Sequence, residues 1–314
     1  MKQTLYIALM ALALSCPLQS CANGSRQAGD NQTADDSVEA SVSAEASSRA
    51  EALDADGMTI TKLLNEARQL EGDTNLPLFF ARRFLGIPYV AHTLEVNDND
   101  KEQLVVNTRQ LDCTTLVETV TALTLCAQRR TYTYEAYRQA LTAMRYRKGI
   151  IDGYPSRIHY FTDWIVSNTE AGIVSEVQAP NPPFTALQTV KVNYMSQHPQ
   201  SYKALSRHPE YVAEIARMEQ RISGLKFRFI PKSEVNNSAA MRQAVHDGDI
   251  VAITCSKPGL DIAHLGFAVW HDDGLHLLNA SQLHKKVVEE PMTLRQYLQK
   301  HPSHTGIRII RIIK

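Results

Sequence analysis

Residues 107–123 read NTRQLDCTTLVETVTAL, and Cys113 stands where an apolar-periodic run begins, flanked by Asp112 and Thr114. A structural cysteine ordinarily lies inside such a run, as Cys126 does. A cysteine at a helix mouth lies near unpaired backbone N–H groups and the positive end of the dipole. That setting favours thiolate over thiol, so the position predicts a nucleophile. Thiol catalysis also needs a base near the sulfur and a third group that fixes the base's tautomer. His264 in AHLGFAVW and Asn279 in LHLLNAS supply those types, one at the start of a predicted strand and one near the end of the next.

With HDDG, residues 271–274, as the connecting loop, Trp270 pairs with Leu275 and Gly266 falls opposite Asn279. Alternation then puts His264 and Asn279 on one face, a diagonal step apart, with Gly266 leaving room between them. A three-residue loop would put them on opposite faces. His271, His276 and His284 lie nearby but lack a zinc-protease pattern such as H-E-x-x-H, so they read as surface residues and no metal site is expected. A second polar cluster, DGYPSRIHYF, carries Asp152, Ser156, Arg157 and His159 around a Gly-Tyr-Pro turn. It reads equally as turn chemistry ahead of a helix and as a substrate-binding segment in which Arg157 grips a peptide carboxylate.

The elements that must position these residues fall in two groups. Apolar spacing predicts helices over 59–70, 76–90, from Cys113 onward, 133–146 and 160–171, with a further short one in 205–222. From about residue 225 the period becomes two: LKFRFIP, DIVAITC, HLGFAVW, LHLLNA, KKVVEE and GIRIIRII are short strands separated by turn residues. Helices first and strands later predict an α+β fold, an antiparallel sheet packed against the cysteine-bearing helix.

Three cysteines, Cys113, Cys126 and Cys255, follow residue 56, and an odd count leaves at least one free even in an oxidising compartment. One continuous helix would hold Cys113 and Cys126 roughly 20 Å apart, beyond disulfide reach. A Cys126–Cys255 pair stays open. Formal net charge is zero, yet residues 22–56 sum to −6 and residues 57–314 to +5. That basic excess is too diffuse for a nucleic-acid surface.

The N-terminus, MKQTLYIALMALALSCPLQSCANGS, has Lys2, an apolar stretch through Leu14 and small residues ahead of a cysteine, the pattern of a secretory signal. LQSC resembles the lipobox of bacterial lipoproteins, which makes Cys21 the expected lipidation site and membrane contact the work of that lipid alone. Residues 22–56 are Ser/Ala/acidic-rich and without aromatics, which predicts a disordered tether ahead of a catalytic domain over 57–314. ANGSRQ after Cys21 lacks an early acidic run, so outer-membrane placement facing the periplasm is expected.

A cysteine at a helix start, a downstream HLGFAV strand and a polar residue ending the next strand resemble the NlpC-type papain-like cell-wall hydrolases, as do FLGIPYV and DGDIVAI. Within that superfamily LDCTTLVE and DGYPSRIHYFTDWI resemble a secreted amidase-like subfamily, across roughly residues 60–314. The resemblance implies a papain-like half-barrel fold and cleavage of N-acetylmuramoyl-L-alanine amides in muropeptides. It implies Cys113 as nucleophile, His264 as base, Asn279 as orienting residue where relatives often have His, and Tyr89 lining the site. A monomer without a cofactor is expected. Two other functions remain open: a γ-D-glutamyl endopeptidase of the stem peptide, and a peptidoglycan-binding lipoprotein without activity.

Overall fold

The computed structural model describes residues 55–70, 72–95 and 101–313. The signal, Cys21 and residues 22–54 of the expected tether lie outside the described residues. Eight strands form one antiparallel sheet: β1 (Val174–Val177), β2 (Ala186–Thr189), β3 (Lys226–Pro231), β4 (Ile250–Cys255), β5 (Ile262–Trp270), β6 (Leu275–Ser281), β7 (Lys286–Glu289) and β8 (His304–Ile312). Their order is β2-β3-β8-β4-β5-β6-β7, with β1 pairing the end of β8 beyond β3. The sheet thus draws β1 and β2 from the middle of the chain, ahead of the strand-rich region. Both are four-residue strands with partly exposed side chains, too short to show a clear period.

A helix over residues 55–68 (α1) precedes α2 (Leu76–Arg83), α3 (Cys113–Gln128), α4 (Tyr134–Arg145) and α5 (Phe161–Glu170). Asp56, the last residue of the expected tether, belongs to α1. Buried there, it accepts from the Thr108 N–H at 2.8 Å and hydroxyl at 2.5 Å. The helix expected over 76–90 stops at Arg83. The chain turns through Gly86 (φ 86°), a left-handed conformation that suits glycine, and Pro88 has no N–H to continue a helix. The helix expected in 205–222 is broken at His208–Pro209 into α7 (Lys203–Arg207) and α8 (Glu210–Ile222), after a single turn, α6 (Tyr194–Gln197). Two helices lie among the C-terminal strands, α9 (Ala239–Ala244) and α10 (Leu294–Lys300).

Both faces of the sheet are covered, and strand alternation sorts the core. Ile250, Ala252, Leu265, Phe267 and Leu278 join the α1–α5 layer, while Val251, Ile253, Ala268 and Leu277 pack with residues of α9 and α10. A third cluster holds α6–α8 against Tyr154 and Tyr160. In α3 every residue from Thr115 to Ala127 is buried. Its Glu118 is paired with Arg145 of α4 at 2.7 Å, each side chain 2% exposed. Removing one partner of such a pair leaves a buried charge unmatched, so the pair fixes α4 on the central helix. Among the described residues no helix is long and apolar enough to cross a membrane.

Candidate active site

Asp112 is the N-cap of α3 and Cys113 its first residue. Asp112 Oδ1 accepts from the Thr115 N–H at 2.8 Å, and the Thr115 hydroxyl accepts from the Asp112 N–H at 2.9 Å. This reciprocal cap ends the run-in at one residue and leaves the sulfur at the helix mouth. Residues 86–90 run as a strap beside it. Gly86 and Tyr89 donate to Val287 and Lys285 carbonyls on one side, and Leu111 and Val90 exchange bonds with Pro88 and Leu111 on the other. Tyr89 is thereby brought beside the sulfur: its pKa is pushed up to about 12 by burial and by the charges of Cys113 and Asp112.

The β5–β6 ladder pairs Trp270 with Leu275 and runs to Phe267–Leu278. The paired register ends there, and two residues on in β5 the Leu265 backbone N–H faces the Cys113 sulfur. Gly266 stands between them: a Cβ on it would lie 2.6 Å from the Leu278 carbonyl oxygen and 2.7 Å from a Leu277 methyl. The glycine therefore admits close strand approach rather than space between two side chains. His264 and Asn279 lie on the face that α10 covers, as alternation against Leu265 and Leu278 requires. His264 Nε2 is 2.9 Å from Asn279 Oδ1. Its ring lies 6.4 Å from that of Tyr297 in α10, and the Tyr297 pKa is raised by burial and by Glu290 and Cys113.

Electrostatics at the sulfur differ from the expectation that a helix mouth yields a thiolate. Burial and then the neighbouring Asp112 carboxylate push the Cys113 thiol up to about 12, against the N–H of Leu265, the Thr114 side chain and its own backbone. Burial lowers the His264 pKa, opposed by the Asn279 hydrogen bond and the Glu290 charge. Near neutral pH the Cys113 sulfur is therefore a thiol and the His264 imidazole is neutral. The other cysteines among the described residues, Cys126 and Cys255, are both free.

The DGYPSRIHYF segment is occupied with itself. The Asp152 N–H donates to Ser156 Oγ at 3.0 Å, and that hydroxyl donates to the Gly153 carbonyl at 2.7 Å. His159 Nε2 meets the Tyr154 carbonyl at 3.0 Å, and burial with the Arg157 and Arg147 charges drives its pKa down to about 3. Arg157 is buried, stacked over Tyr154 at 4.9 Å and flanked by Glu102 at 3.6 Å and Glu95 at 3.9 Å. The expectation that His271, His276 and His284 are surface residues fails at His276. That ring is buried, bonded to the Glu290 carbonyl at 2.8 Å and to Asp273 at 2.9 Å. Among the described residues no group of three or more His, Cys, Asp or Glu is arranged to hold a metal ion.

Residues 79–307 match the description of an N-acetylmuramoyl-L-alanine amidase-like family. The chain belongs to that family. An N-acetylmuramoyl-L-alanine amidase from Bacteroides uniformis is 41% identical with a TM-score of 0.71, over 76% of this chain and 98% of its own. A Bacteroides fragilis protein provisionally named a xylanase is 39% identical with a TM-score of 0.69, over 74% of this chain and 99% of its own. A Legionella pneumophila protein, 20% identical with a TM-score of 0.65 over 84% of this chain and 97% of its own, shares the fold. A search of curated proteins found no match. Family membership makes the chain a hydrolase of the amidase-like kind.

Two residues that adjoin the candidate site, Tyr297 and Glu290, were not legible as such in the sequence. Tyr297 had a usable signal: Thr293 and Gln296 form the capping box that opens α10, and T-x-x-Q ahead of apolar residues is readable. Glu290 had none, because it lies one residue beyond β7, where alternation no longer says which way a side chain points.

Proposed function

We propose that this chain is a cysteine-dependent N-acetylmuramoyl-L-alanine amidase of the NlpC-type, papain-like arrangement, cutting the amide that joins muramic acid to the stem peptide. The observation that carries it is the His264 Nε2–Asn279 Oδ1 contact of 2.9 Å, one residue before the Leu265 backbone N–H that meets the sulfur of Cys113 at the start of α3. A peptidoglycan-binding protein without activity has no use for an imidazole oriented by an amide beside a helix-mouth thiol.

The chemistry follows from a neutral resting pair. His264 Nδ1, the nitrogen that Asn279 leaves free, takes the thiol proton as the sulfur attacks the lactyl carbonyl carbon. The Cys113 N–H, which has no partner within the helix, donates to the oxyanion. Imidazolium then protonates the leaving amine, which departs as the N-terminus of the stem peptide. Water, deprotonated by His264, attacks the remaining thioester, and the thiol leaves with the proton. The hydroxyls of Tyr89 and Tyr297, both close enough to Cys113 to feel its charge, would meet the substrate in this reading.

The xylanase name of the Bacteroides fragilis relative raises glycoside hydrolysis as a second reading. That reaction takes two carboxyl groups flanking the bond. Here Asp112 is held as the cap of α3, and Glu290 is buried and bonded to Asn279 and His284. Neither is free to protonate a sugar oxygen.

Incubating the purified protein with defined muropeptides and weighing the products tests the proposal. Release of intact stem peptide is expected, lost at least about 10³-fold in Cys113→Ala. Cleavage within the stem would transfer the site to γ-D-glutamyl endopeptidase chemistry, and turnover by Cys113→Ala would remove the nucleophile. The N-terminal sequence supports export and anchoring through Cys21, at the outer membrane facing the periplasm. Membrane fractionation of Cys21→Ser checks the anchor, with release into the soluble fraction expected.

A further inference from the structure

The two ends of an asparagine amide have the same shape and opposite hydrogen-bonding character, and only one of them lets His264 act as a base. Glu290 selects the end. Its side chain is fully buried; Oε1 accepts from Asn279 Nδ2 at 3.2 Å, and Oε2 meets His284 Nε2 at 3.1 Å. Asn279 Nδ2 also donates to the Leu277 carbonyl at 3.3 Å. A carboxylate and a carbonyl only accept, so both would repel the amide oxygen. The oxygen must therefore face His264, and since it too only accepts, His264 Nε2 must carry the proton.

We infer that Glu290 is a positioning residue. By holding the Asn279 amide in one orientation it fixes the Nε2–H tautomer of His264 and leaves Nδ1 bare for the thiol proton. His284 holds the far oxygen of the carboxylate, and the Glu290 backbone is pinned as well, its N–H to the Leu277 carbonyl at 2.9 Å and its carbonyl to His276 Nδ1 at 2.8 Å. The consequence for turnover rests on the amidase reading. The tautomer does not.

The test reads both. In protein labelled with 15N in its imidazoles, the His264 signals are assigned by their loss in His264→Gln. The expected wild-type pattern is a single Nε2–H tautomer above neutral pH. Glu290→Met should give mixed tautomers and a kcat about 10²-fold lower, within the cost of a wrongly held histidine, with KM nearly unchanged. Glu290→Gln keeps an acceptor oxygen and should stay within about tenfold of wild type. Reversing the pair separates positioning from folding. Asn279→Asp sets two buried acids together and should be poorly active. Asn279→Asp with Glu290→Gln restores a donor facing an acceptor, and should recover the Nε2–H tautomer and at least about tenfold of the lost kcat. An Nδ1–H tautomer in the wild type, or an unchanged tautomer and kcat in a folded Glu290→Met, overturns the inference. So does a double variant no better than Asn279→Asp alone. If tautomers respond as expected while no muropeptide is cut, the role of Glu290 stands and the amidase reading falls.

Discussion

A thiol pushed up to about 12 is a weak nucleophile alone, so the site depends on a base that is neutral when substrate arrives. Burial keeps His264 in that state by lowering its pKa. The sign of the pH dependence follows. Protonated imidazole cannot take the thiol proton, so kcat/KM should rise as pH rises through the His264 pKa, with the acid limb below the ordinary histidine value of about 6.5. No alkaline limb is expected through pH 9, because the thiol keeps its proton there. A pH–rate profile measures this directly, and a limb above about 6.5 would mean a preformed ion pair instead. At this scale the sequence was informative about the meeting of His264 and Asn279 and misleading about the charge on Cys113. Helix-mouth geometry is visible in LDCTTLVE, whereas burial by residues distant in sequence, which dominates the thiol, is not.

At the scale of elements the candidate site joins the end of the β5–β6 ladder to the mouth of α3 through the Leu265 backbone N–H. A four-residue loop, HDDG, places Trp270 opposite Leu275, and the ladder carries that register to the site. Turn length and alternation are local properties, and so the pairing was legible. Gly266 is the sensitive point: Gly266→Ala puts a Cβ 2.6 Å from the Leu278 carbonyl, and overpacking of this kind costs about 1–3 kcal/mol. Denaturant melts should show that loss, and kcat should fall further than the unfolded fraction explains, because the same displacement separates His264 from Asn279. A stability within about 0.5 kcal/mol of wild type would show that β5 and β6 adjust freely. The strap that carries Tyr89 was not legible as such. FLGIPYV continues the apolar pattern of α2, and what turns it into a strap is pairing with β7, some 200 residues later in the chain.

The whole molecule is a sheet covered on both faces, and its packing holds His159 and His304 as neutral groups. Burial lowers both His159 and His304 to about 3. Since the unfolded chain takes up these protons near pH 6.5, stability is full above that value and is lost progressively as pH falls toward 3. Thermal melts between about pH 7.5 and pH 5 should show a falling midpoint, with a shallower fall in His304→Gln. An unchanged midpoint across that window would mean these rings are solvated. The α+β layering was readable from the change of period near residue 225. The assignment of β1 and β2 to the sheet was not, because each is stabilised by a distant partner, β8 or β3, rather than by its own pattern.

The central claim joins one sulfur to one bond, and the mass of the trapped acyl-enzyme tests both together. The protein would be mixed with a disaccharide–tetrapeptide, quenched in acid within milliseconds to seconds, digested and weighed. The account predicts that the Cys113 peptide gains the mass of the muramoyl disaccharide, with free tetrapeptide in solution. A stem-peptide fragment on Cys113, or an adduct on any other residue, would contradict it.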